Sequence, residues 1–142
     1  FFNRLLASRL AVLPAFSCEI DYGGLQQAWF DATLMQQVFE NLINNSVQAA
    51  VGEPVAIKIA LEMQGSQLNI RFADNGPGIA LDLRDKLFTP FMSGREGGNG
   101  FGLALIRKLV EAHGGEISYI GGENDGAVFL IEVGQHENSG GR

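Results

Sequence analysis

Asn41, Asn44 and Asn45 crowd the middle of FENLINNSVQAA, inside a run whose apolar residues recur at helical spacing. Asparagine is a poor helix former, about 0.7 kcal/mol worse than alanine, so three together give up about 2 kcal/mol of propensity. Asn41 and Asn45 stand one turn apart and project from one face, which Gln37 and Gln48 extend along the helix. Neutral amide oxygens suit a hard cation such as Mg²⁺, whose shell also keeps waters and substrate phosphates. The same residues are also consistent with a solvated polar face.

Asp74-Asn75-Gly76-Pro77-Gly78-Ile79 follows the alternating stretch LNIRFA. A carboxylate held at a strand end accepts a hydrogen bond from an exocyclic amine such as that of adenine, and glycines beside it let backbone approach a ring. The same string is turn-forming by its chemistry alone, so a plain turn accounts for it too.

A third string, Gly94-Arg95-Glu96-Gly97-Gly98-Asn99-Gly100-Phe101-Gly102-Leu103, feeds directly into a helical pattern. Such a loop presents unpaired N–H groups and the positive end of the helix dipole to phosphate. It is not a P-loop, because no G-x-x-x-x-G-K-[ST] is present. The glycines follow irregular sequence instead of a strand, and Gly98, Gly100 and Leu103 miss the G-x-G-x-x-G spacing, which excludes a dinucleotide fold.

The elements that must position these residues follow from periodicity. Residues 1–13 have helical spacing and Pro14 ends them. Residues 16–22 alternate as a strand, and Ala28-Trp29-Phe30 read as a short second one. Asp31 or Thr33 caps a long helix to about Ala50, whose apolar face holds Leu34, Met35, Val38, Phe39, Leu42, Ile43 and Val47. Residues 55–63 and 67–73 form a hairpin across Gln64-Gly65-Ser66. One helical turn is expected near 82–87, a helix over 101–113 stopped by Gly114-Gly115, and strands over 116–121 and 126–134. This order predicts a mixed sheet covered on one face by helices, and not a βαβ repeat.

Composition narrows the function. With 142 residues, 46% of them hydrophobic, the chain suits one core. A net charge of −6 argues against a nucleic-acid partner, so any polyanion must be held locally by backbone N–H groups, a metal and one or two cations. The lone Cys18 permits no internal disulfide and reads as a packed strand residue. No apolar run reaches the roughly 18–20 residues that span a bilayer. The chain begins at Phe1 without a methionine, and the expectation is an excised fragment with any sensor or membrane segment upstream.

The strings together resemble the ATP-binding catalytic domain of histidine kinases. Asn41 to Ala49 is similar to the N box, Asp74 to Ile79 to the D-x-G-x-G box, Leu87-Phe88-Thr89-Pro90-Phe91 to the F box, and Gly98 to Leu103 to the second glycine box. GFGLALIRKLVEAHGG, over 100–115, resembles the family throughout, and the likeness runs in order from about residue 16 to 134. The family shares its fold with DNA gyrase, MutL-type repair ATPases and heat-shock chaperones. The resemblance implies an α/β fold, an α+β two-layer sandwich of the Bergerat type, with about five strands and three helices. Residues 1–14 would be an upstream helix or linker remnant, 15–134 the ATP-binding domain, and 135–142 a disordered tail.

By the same resemblance, Asn45 would ligate Mg²⁺ bridging the ATP phosphates, with Asn41 assisting. Asp74 would hold the adenine amine, with Gly76, Gly78 and Ile79 beside it. Gly98, Gly100, Phe101, Gly102 and Leu103 would line the phosphates. The segment from Ile79 to Gly98 would be a flexible lid with Phe88 and Phe91 as apolar clasps, and Arg95 a lid cation reaching the γ-phosphate; a solvated loop arginine is the other reading of Arg95. Asn99 and Phe101 depart from the usual Thr and Leu, and Gln48 stands where many kinases carry lysine.

In hydrolysing relatives the residue four before the Mg²⁺ ligand is a glutamate that activates water; here it is Asn41, and Glu40 is turned about 100° away around the helix. That implies phosphoryl transfer instead of hydrolysis. His113 closes a helix where a C-terminal cation is favourable, and His136 lies in the tail; neither has the H-E-x-x-x-P surroundings of a phosphoacceptor. The expected partners are therefore ATP, a histidine on a dimerisation domain of the same full-length protein, and a response-regulator receiver domain. The expected setting is cytoplasmic, with a monomeric fragment and a homodimeric full-length protein for which an inner-membrane anchor is compatible with that setting. A non-catalytic nucleotide-binding regulatory module, or a serine kinase acting on an anti-sigma antagonist, would carry the same pocket.

Overall fold

The structure is a computed structural model that describes residues 1–5, 16–25, 28–50, 52–89, 102–121 and 126–135. Five strands form one sheet in the order β1-β2-β3-β5-β4: β1 (Phe16–Asp21), β2 (Val55–Gln64), β3 (Gln67–Asp74), β4 (Glu116–Tyr119) and β5 (Val128–Gly134). β1 and β2 pair in parallel, because helix α1 (Ala32–Ala50) carries the chain from one to the other. The remaining pairs are antiparallel, so the sheet is mixed, as expected.

One sheet face is apolar and the other polar. Val55, Ile57, Ile59 and Leu61 alternate inward on β2, and Leu68, Ile70 and Phe72 on β3, with Ile59 opposite Phe72 and Phe72 opposite Phe129. Lys58, Glu62 and Arg71 occupy outward positions and are exposed. The apolar face packs against α1 and α2 (Gly102–Ala112), which supply Met35, Val38, Phe39, Leu42 and Ile43, and Ile106 and Val110. Phe2 and Leu5, within a helical turn at residues 2–5, join the same core, where the ring of Phe2 meets that of Phe39 at 5.2 Å. Cys18 lies half-buried on β1 against it, and burial pushes its thiol up to about 11.

Asp31 is the cap of α1: its Oδ1 accepts from the Leu34 N–H at 3.0 Å. Helix α2 ends in a Schellman turn, in which the Gly115 N–H reaches the Val110 carbonyl and the Gly114 N–H that of Glu111, both at 2.9 Å. The turn expected near 82–87 is a 3-10 helix over Leu81–Lys86.

Two expectations need correction. Ala28-Trp29-Phe30 is not a strand; the Gln135 side chain accepts from the Trp29 N–H and donates to its carbonyl at 2.6 Å, so a side chain replaces a ladder partner. Gln135 is therefore held, also by its own N–H to the Ser66 carbonyl at 2.7 Å, and does not begin a frayed tail; residues 136–142 lie outside the described residues. His113, at the end of α2, is structural: its Nε2 accepts from the Asp31 N–H at 2.6 Å. It ties the end of α2 to the start of α1.

Candidate functional site

The inward alternation of β3 runs Leu68, Ile70, Phe72 and then Asp74, so a carboxylate takes the last core-facing position, opposite Ile57. Only 9% of it is exposed. A buried carboxylate needs donors, and three are in place: the Gly76 and Ala127 N–H groups reach Oδ1 at 2.9 Å each, and the Ser46 hydroxyl reaches Oδ2 at 2.7 Å. Asn75 turns the other way, its side chain bridging the Ala56 N–H and the Pro54 carbonyl, which fastens the turn to β2.

Two glycines let the backbone close around this carboxylate. Gly126 has φ +71°, and a Cβ there would collide with the Asp74 carbonyl. Gly78 has φ +77°, and its Cβ would lie 3.0 Å from the Gly126 carbonyl. Ile79 leaves the turn clamped: its N–H donates to the Tyr119 hydroxyl at 3.2 Å and its carbonyl accepts from Arg84 Nε at 3.1 Å. The Arg84 guanidinium also sits 5.2 Å from the Tyr119 ring centre, and the Tyr119 hydroxyl donates to the Gly126 carbonyl at 3.3 Å. Phe88 is half-buried with its ring 6.2 Å from that of Phe129.

The other end of the site lies on α1. Asn41 donates its Nδ2 to the Gln37 carbonyl at 2.8 Å, one turn before Asn45. Asn45 is half-buried, and Gly102, the first residue of α2, is so close that a Cβ on it would lie 3.3 Å from Asn45 Oδ1. The first turn of α2 carries no acidic side chain, so nothing there repels an anion. Leu103 follows, half-buried against the core. Asp74, through Ser46, and Gly102, beside Asn45, thus meet α1 at adjacent residues, with Gly76, Gly78 and Ile79 in the turn that follows Asp74 and Phe88 against Phe129. Phe91, Arg95, Gly98, Asn99, Gly100 and Phe101 lie outside the described residues.

Among the described residues no three His, Cys, Asp or Glu side chains converge to cage an ion. An amide oxygen beside a helix N-terminus is a different donor set, one that fits a magnesium ion sharing its shell with phosphates. A buried acceptor and an anion-compatible helix start, both set against α1, are the kinds of group that the base and the phosphates of a nucleotide call for.

A family model described as histidine kinase-, DNA gyrase B- and HSP90-like ATPase matches residues 30–137. The chain belongs to this family. Among curated relatives, this histidine-kinase-type ATPase domain is 37% identical over 131 residues to the C4-dicarboxylate transport sensor protein DctB of Rhizobium meliloti, covering 91% of the chain and 21% of DctB. It is 36% identical to the sensor histidine kinase ZraS of Escherichia coli, over 71% of the chain and 22% of that protein. The chain thus spans about a fifth of the length of these relatives. The catalytic domain of histidine kinase ThkA superposes with a TM-score of 0.76 at 30% identity, covering 94% of this chain and 89% of that one.

Sequence reasoning about this ATPase domain passed over Ser46, Tyr119, Arg84 and Ala127. Ser46 left a signal: it continues the buried stripe of Met35, Val38, Phe39, Leu42 and Ile43 with a polar group. Tyr119 and Ala127 act through a hydroxyl and a backbone N–H brought in by β4 and the approach to β5, which no local pattern reveals.

Proposed function

We propose that this domain binds Mg²⁺·ATP and presents the γ-phosphoryl group to a histidine on a separate dimerisation domain of the full-length protein, from which it passes to a response-regulator receiver domain. The histidine kinase ThkA has been crystallised with the response regulator TrrA, which supports the last step by likeness. Asp74 would receive the adenine amine, Asn45 and the Asn41 oxygen would hold the ion, and the start of α2 would take phosphate oxygens. Bound magnesium would neutralise phosphate charge, and the rest of the catalysis is positioning.

The observation that carries this reading is that the position one turn before Asn45 on α1 holds an amide and not a water-activating carboxylate. One turn earlier stands Asn41, and the neighbouring Glu40 accepts from Gln36 Nε2 at 3.1 Å along its own side of the helix. ATP bound this way survives until a protein nucleophile arrives. The need for ATP puts the domain on the cytoplasmic side.

The test incubates the purified domain with Mg²⁺ and radiolabelled ATP, alone and with a separately produced dimerisation domain. The expected result is negligible phosphate release alone and acid-labile label on the added domain. Steady hydrolysis by the domain alone would overturn it.

A further inference from the structure

We infer that Ser46 is a positioning residue for nucleobase selection, acting through Asp74. The inference rests on the reading that Asp74 meets the adenine amine, and it names what makes that carboxylate selective.

Ser46 is 3% exposed, in a helix stripe otherwise filled by Met35, Val38, Phe39, Leu42 and Ile43. Its Oγ lies 2.7 Å from Asp74 Oδ2 and 3.2 Å from the Leu42 carbonyl. A hydroxyl has one proton, and the shorter contact to a charged acceptor takes it. A carboxylate offers about four lone-pair sites. Two on Oδ1 are filled by the Gly76 and Ala127 N–H groups and one on Oδ2 by Ser46. Among the described residues, one acceptor site remains, on Oδ2. A purine with a 6-amino group fills it, whereas a purine with a 6-oxo group sets acceptor against acceptor and one with hydrogen at position 6 leaves it empty. Without Ser46, Oδ2 has two open sites and no neighbour dictating which one faces the base.

The test measures dissociation constants of the chain for a non-hydrolysable ATP analogue and for the triphosphate of purine riboside, which lacks the 6-amino group. Wild type, Ser46→Ala, and Ser46→Cys as a near-isosteric variant with a weak donor are compared, with circular dichroism to show that each is folded. The expected outcome is about tenfold weaker binding of the ATP analogue by Ser46→Ala, an intermediate loss for Ser46→Cys, and purine riboside triphosphate binding within about twofold of wild type for both. Unchanged binding of the ATP analogue, or equal losses for both nucleotides, overturns the role of Ser46. Equal affinity of wild type for the two nucleotides instead overturns the underlying assignment of Asp74.

Discussion

Gly102 stands against Asn45 so closely that a methyl group on the glycine would lie 3.3 Å from the asparagine Oδ1. This approach joins the start of α2 to the middle of α1. It sets an amide oxygen beside the N–H groups that would meet phosphate, and a methyl at 102 would oblige the Asn45 side chain to give by a few tenths of an ångström.

Gly102→Ala separates function from fold. Alanine favours the helix over glycine by up to about 1 kcal/mol, so the variant should unfold at the same urea concentration or a higher one. Because its methyl crowds Asn45 Oδ1, affinity for Mg²⁺·nucleotide should fall several-fold. Chemical denaturation and titration calorimetry on the same protein check both.

Gly126→Ala should act on the fold itself. The added methyl collides with the Asp74 carbonyl, and φ of +71° is strained for any L side chain. The expected loss is about 2–4 kcal/mol, read from urea unfolding, with nucleotide affinity falling as the Ala127 N–H withdraws from Asp74.

Much of this architecture was legible in the sequence. Apolar spacing from Met35 to Ile43 marks α1, alternation marks β2 and β3, and Asp74 announces itself as a charge at an inward-facing position. The segment around Trp29 was not legible, because its backbone is satisfied by Gln135 and His113, partners 106 and 82 residues away. Local propensity carries no information about a partner so distant. Ser46 was hidden for another reason: a small polar residue beside three asparagines looks like part of a polar face until the β3 carboxylate is placed beneath it.

Cys18 should be slow to alkylate. Burial raises its pKa from 9.0 to about 11, so at pH 8 the native thiolate fraction is about a hundredfold below that of the unfolded chain. Iodoacetamide rates with and without urea measure this. Since the folded value lies above the unfolded one, the stabilising contribution is complete below pH 9 and is lost as pH rises through 11. Urea midpoints should accordingly decline on the alkaline side.

The central claim is that one end of the nucleotide is held by Asp74 and the other, through magnesium, by Asn45. Calorimetric titration with a non-hydrolysable ATP analogue, with and without Mg²⁺, tests it on wild type, Asn45→Ala and Asp74→Asn. The account predicts that Asn45→Ala abolishes the magnesium-dependent gain in affinity and that Asp74→Asn weakens binding with and without the ion. Wild-type affinity and magnesium dependence in both variants would contradict it.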